Sequence, residues 1–326
     1  MKDAPRADAF IPDFPCKNCG GVLRPKSQAI LFCLLFAVLS VGASAQNAQT
    51  KAQLEVSETL FTITAALNSC GYDAGLDASL PLRRMVRSEI EKTLLRSPEA
   101  AAAQRALCQF QREHTPAEPG RDTAQYVSLA LDLGPPPEFK PTLPEADLPP
   151  DASQVLGVVS LLQTFYQAAG IHALWQKHEP EYDALIRRFH EPVAGVIIQT
   201  DLYLQLPFNS APGRRFVIYL EPMLAPSQVN SRNYADSYFL VVSPARETSG
   251  EPLRLYEIRH TYLHYVLDPL ALSHGRSLKR LDPILETVVT APLADSYKQD
   301  VSLLTTECLI RAIEVRSATP RNGRIN

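Results

Sequence analysis

Residues 134–150 read GPPPEFKPTLPEADLPP. Proline fixes φ and carries no backbone N–H, so this stretch can be neither a helix nor a central strand. The chain is therefore expected to divide into a helical region over residues 46–133, a Pro-rich linker or strap over 134–150, and a third region over 151–326 with its core at 213–316. Of the 326 residues 45% are hydrophobic and 21% charged, enough apolar material for one large core or two modest ones. The formal net charge of -3 and the lack of any basic cluster interleaved with aromatics argue against a nucleic-acid partner.

Apolar residues recur at threes and fours from Lys51 to about Glu113, through Leu54, Leu60, Ile63 and Leu67, then Leu82, Met85, Ile90 and Leu94. That period predicts helices, punctuated by Gly71 and by Ser97-Pro98. The pattern resumes after Ala152 through Leu156, Leu162, Phe165, Trp175, Tyr182 and Phe189. From Gly213 the character changes. Residues 215–223 (RFVIYLEPM) and 237–243 (SYFLVVS) are short, rich in β-branched and aromatic residues, and closed by Pro222 and Pro244, as strands of a small sheet would be. The class expected is mainly α, of the α+β type: a helical N-terminal part, then a part with a small sheet and a buried helix.

That helix, residues 252–268 (PLRLYEIRHTYLHYVLD), carries the one chemical signature of the chain. It is apolar on most sides, with Ser249 and Gly250 placed to cap it and Asp268-Pro269 expected to end or redirect it. His260 and His264 stand four apart, so their imidazoles leave one face at a spacing that suits a single metal ion. A zinc peptidase helix reads His-Glu-x-x-His, the glutamate acting as general base to the metal-bound water; here that position is Thr261, whose hydroxyl takes no proton from water near neutral pH. Glu257, one turn before His260, could be a displaced base, a ligand, or simply the partner of Arg259 or another cation. Residues 278–289 read as a further amphipathic helix, and a last long one runs over about 298–316. On it Glu307 stands out, because Thr306, Cys308, Leu309 and Ile310 give its carboxylate an apolar setting that is costly unless paired or metal-bound. His172, His178 and His190 have no partner at metal spacing and read as surface or hydrogen-bonded residues, and His114 as a loop residue.

Strands, a helix with His-x-x-x-His, then a later helical glutamate is the order of elements in gluzincin-type zinc metallopeptidases, which residues 213–316 resemble. The resemblance implies zinc held by His260, His264 and Glu307, in a site degenerate at Thr261. The segments EPMLAPSQVNSRNYADSYFLVVSP and RHTYLHYVLDP are also similar to exported bacterial proteins with a degenerate zincin helix.

Residues 29–43 (AILFCLLFAVLSVGA) are apolar and uncharged, preceded by Arg24 and Lys26 and followed by Ala43-Ser44-Ala45. This is the order of a secretory signal, here with an extended leader, and cleavage is expected after Ala45; a membrane anchor over the same residues is the alternative. Translation starting near Val22 or Leu23 would account for the leader, and Cys16 and Cys19, which look like half of a zinc ribbon, would then belong to it. Cys33 lacks the small residues of a lipidation site. In an oxidising compartment Cys70 and Cys108 could pair, leaving Cys308 as a buried thiol. Three functions follow as expectations: an exported, periplasmic or secreted protein whose degenerate metallopeptidase site binds a peptide or protein partner, an active zinc hydrolase with its base moved to Glu257, or a metal-free helical scaffold.

Overall fold

A computed structural model describes residues 52–116, 122–206, 213–234, 236–247 and 251–318. The expected signal segment, Cys16, Cys19, Cys33, Ser249 and Gly250 lie outside them. All described residues belong to one unit, Asn47–Asn326. The fold is mainly α with a small mixed sheet, as the residue periodicities predict.

The first element corrects the sequence reading. Ala52–Glu55 is a strand, β1, where helix was expected from Lys51. Four residues are too few for their period to declare itself, and the pairing that holds them comes from far along the chain: β1 runs parallel to β2 (Arg215–Leu220), Ala52 opposite Phe216. Strand β3 (Val229–Tyr234) was not expected either, because VNSRNY is polar and lies on a sheet edge. Its antiparallel partner β4 (Ser237–Val242) runs parallel to β2, giving the order β1-β2-β4-β3.

Helices α1 (Glu58–Ser69), α2 (Pro81–Arg96), α3 (Pro98–Glu113) and α4 (Asp122–Asp132) form the N-terminal part. Ser57 and Ser97 cap α1 and α3 by accepting the Leu60 and Ala100 N–H groups. Met85, expected inside, is exposed (42%), whereas Arg83 is fully buried. Its guanidinium donates to the Asn68 side chain at 2.8 Å and to the carbonyls of Tyr72 at 2.6 Å and Ala74 at 2.7 Å, so burial leaves no donor nitrogen unpaired. The disulfide Cys70–Cys108 ties α1 to α3. It closes a loop of 38 residues, for which chain entropy alone gives about 4 kcal/mol. Unfolding in urea with and without reductant should show a loss near that size, and coincident curves would mean that the bridge contributes nothing.

The Pro-rich segment lies packed on the helices. Phe139 is completely buried, its ring edge-on to Tyr166 at 5.5 Å, and the Asp132 carboxylate receives the Thr142 hydroxyl at 2.6 Å and the Leu143 N–H at 3.0 Å. The next helices are α5 (Pro150–Gln154), α6 (Val158–Ala168) and α7 (Ile171–Leu204), with Gly170 in the left-handed region (φ 64) turning α6 into α7. Helix α7 continues 15 residues past Phe189, with Pro180 and Pro192 inside it. Its first half packs Trp175 and Tyr182 into the N-terminal core; its second packs Leu185, Phe189, Val193 and Ile197 into a core under the sheet.

At this junction Glu221, just after β2, is 1% exposed. One carboxylate oxygen accepts the Tyr182 hydroxyl at 3.0 Å and the Met223 N–H at 2.9 Å, while Oε2 has no hydrogen-bond partner. Burial raises its pKa to about 7, outweighing the Met223 N–H, the Tyr182 and Thr64 hydroxyls and the Arg83 charge, which all act to lower it.

Helix α8 (Leu255–Ser273) begins three residues after Pro252 and passes through Pro269. Proline at 269 deprives the Tyr265 carbonyl of its helical donor, and Arg214 supplies one, its Nη2 lying 2.6 Å from that oxygen. Residues 278–289 do not form one helix. The short α9 (Gly275–Leu278), a 3-10 turn (Lys279–Leu281) and α10 (Pro283–Thr287) fill that span, none with a buried residue. Then come α11 (Asp295–Gln299) and α12 (Val301–Ala318).

Candidate metal centre

Three stripes on α8 do different things. Ile258, Tyr262 and Tyr265 face the sheet, where the two tyrosine rings meet Phe216 at 5.2 and 5.4 Å. Leu263 and Leu267 face α12, closing a small core with Ile310 and Ile313. Between them runs the stripe of His260, His264 and Asp268, each four residues from the next. Helix α12 answers it with Glu307, Arg311 and Glu314 at intervals of four and three, beside the two isoleucines that dock the helices.

The three residues read from the sequence as one site do converge. His260 Nε2 lies 3.6 Å and His264 Nε2 3.5 Å from the same oxygen, Oε2 of Glu307. The donor atoms of all three residues lie within 4.8 Å of one another. Around an ion at roughly 2.0–2.1 Å with near-tetrahedral angles, neighbouring donors stand about 3.3–3.5 Å apart, close to the two imidazole-to-carboxylate distances.

The other ends of the imidazoles are committed. His260 Nδ1 is 3.0 Å from Glu314 Oε1, and His264 Nδ1 is 3.1 Å from Asp268 Oδ1. A carboxylate only accepts, so each Nδ1 donates; each Nε2, facing Glu307 Oε2, then either donates as well in a protonated ring or offers a lone pair to a metal. Glu307 Oε2 is buried and receives no hydrogen bond. Two imidazole nitrogens and a carboxylate oxygen thus face one another at 3.5–3.6 Å, an arrangement held either by protons on the rings or by a cation between them. For His264, burial pulls the pKa down, but the Asp268 and Glu307 carboxylates outweigh it and hold the ring above its ordinary value. Two imidazoles and one carboxylate form a donor set that could hold a metal ion.

The remaining sequence candidates fall elsewhere. Thr261 is half-buried on α8. Glu257 pairs with Arg254 at 3.6 Å, not with Arg259, whose Nη1 reaches Ser317 at 3.3 Å. Cys308 is exposed, contrary to the expectation of a buried thiol: its apolar neighbours in sequence point to other sides of α12. His178 is buried between Glu89 and Glu181, while His172 is exposed and meets Glu58. His114 closes α3 with its ring stacked on Phe110.

Sequence reasoning missed the supporting residues. Asp268 had a signal, standing four after His264 as His264 stands four after His260. Glu314 and Arg311 had none stronger than their helical spacing from Glu307. Comparisons of the chain with protein-family models, with curated proteins and with solved structures find no match.

Proposed function

We propose that this is an exported, zincin-like protein whose His260–His264–Glu307 group holds zinc, and that with threonine at position 261 it binds a peptide or protein partner instead of hydrolysing one. The observation that carries the reading is the buried Glu307 Oε2, without a hydrogen bond, facing at 3.5–3.6 Å two imidazole nitrogens whose far sides are hydrogen-bonded to carboxylates. Each ligand histidine is thereby oriented, which favours a metal. Bound zinc would act as a Lewis acid toward a carbonyl or carboxylate of the partner. The chain's own residues hold the ligands in place and offer no proton acceptor at the position next to His260. The Cys70–Cys108 disulfide supports an oxidising compartment, consistent with the signal-like order over residues 24–45. No helix among the described residues is long and apolar enough to cross a membrane.

A zinc titration followed by calorimetry tests the reading. The protein should take up one zinc per chain, and His264→Ala or Glu307→Gln should weaken uptake by more than the roughly 10–100-fold that loss of a partner behind a ligand costs. Glu307→Gln keeps the side chain's volume, so a fall in affinity with unchanged circular dichroism isolates the donor atom. A wild-type chain that binds no zinc would leave the two histidines as hydrogen-bonded helix residues and favour the metal-free scaffold.

A further inference from the structure

We propose that Arg311 is a positioning residue that restricts Glu307 to one metal-binding oxygen and so keeps a coordination position of the centre open to an outside donor. The proposal rests on the metal centre above and concerns a residue that no ligand set requires. Arg311 Nε donates to Glu307 Oε1 at 2.7 Å. That is the oxygen turned away from the imidazoles, whose Nε2 atoms both face Oε2. The guanidinium is itself fixed from two sides: Nη1 donates to the Tyr256 hydroxyl of α8 at 2.9 Å and to Glu314 Oε2 of α12 at 3.2 Å. Glu314 holds His260 Nδ1 with its other oxygen. One planar fork thus sets the carboxylate that would bind the metal and the carboxylate that orients a ligand histidine.

The consequence is one of coordination number. A carboxylate free to turn can bind zinc through both oxygens, but turning Glu307 Oε1 toward the ion would disturb its charge-assisted bond from Arg311. Held as it is, it offers one oxygen, and with two imidazoles the protein supplies three donors. Zinc with three protein donors keeps a further position for water or a substrate. A small anion, a carboxylate or a carbonyl oxygen matches it, because one bound carboxylate leaves the ion with net positive charge. Lysine could supply charge at position 311 but not the fork that spans Glu307, Glu314 and Tyr256.

Cobalt(II) bound to the full chain is the probe, since its visible spectrum reports coordination number, with azide as the outside donor. The wild type should give the intense bands of a four-coordinate ion, and azide should shift them. Arg311→Gln should lower cobalt affinity about 10–100-fold, weaken the bands toward those of a five-coordinate ion, and blunt the azide response, while Arg311→Lys should fall between. Arg311 is about half exposed, so its loss should leave the thermal midpoint little changed. A cobalt spectrum that azide leaves unaltered would overturn the open position. Equal affinity and spectra for wild type and Arg311→Gln would overturn the role of Arg311. No cobalt uptake by the wild type would instead remove the metal centre, and this proposal with it.

Discussion

Zinc-loaded protein carrying Thr261→Glu should hydrolyse peptides about 100- to 10,000-fold faster than the unaltered chain, the range in which a positioned general base contributes. The substitution places a carboxylate directly after His260, where the zincin-like reading proposed above puts the base, and takes nothing from the proposed ligand set. Position 261 is half-buried on a regular helix, and glutamate is a better helix former than threonine, so the fold should tolerate it. A mixed peptide library scored by mass spectrometry, with zinc and with a chelator, measures the effect. If Thr261→Glu binds zinc stoichiometrically and cleaves nothing, the centre lacks hydrolase geometry and binding alone remains. If the wild type already cleaves and Glu257→Gln abolishes it, the chain is an active enzyme with its base one turn earlier, although Glu257 pairs with Arg254 in the structure.

The second large effect is expected far from the histidines. Glu221 has its pKa raised to about 7 in the fold from an ordinary 4.5. Below pH 4.5 it is protonated folded and unfolded alike and contributes no difference. Between 4.5 and 7 the folded chain keeps a proton that the unfolded chain has lost, so stability falls as pH rises, by about 3 kcal/mol once pH exceeds 7. Glu221→Gln keeps an acceptor for Tyr182 and the Met223 N–H without the charge. It should unfold at the same urea concentration as wild type near pH 4.5, and be more stable by up to that amount at pH 8. Parallel pH profiles for the two proteins would rule this out.

The sequence disclosed helices where a stripe of apolar residues repeats within the helix itself, and strands where β-branched runs are bounded by proline. It hid what depends on partners from elsewhere. Prolines looked like ends at 269, yet an arginine 55 positions earlier accepts the role of the missing donor for the Tyr265 carbonyl. The three converging residues were legible because the two histidines share a helical face and a glutamate flanked by apolar residues in sequence demands an explanation. Arg311, Glu314 and Tyr256 are ordinary residues on ordinary helices until α8 and α12 lie side by side. The buried Arg83 shows the same limit: its position within an amphipathic helix looks solvated, and only the carbonyls of the loop before α2 justify its burial.

The pairing of β1 with β2 also has a consequence in time. A ribosome delivers Ala52 long before Phe216, and a nascent chain holding the helices α1 to α6 still has no partner for its first strand. The sheet, and with it the platform under Tyr262 and Tyr265, can close only after most of the polypeptide exists. Parallel pairing over so many residues makes for slow folding, with β1 left as an unpaired edge meanwhile.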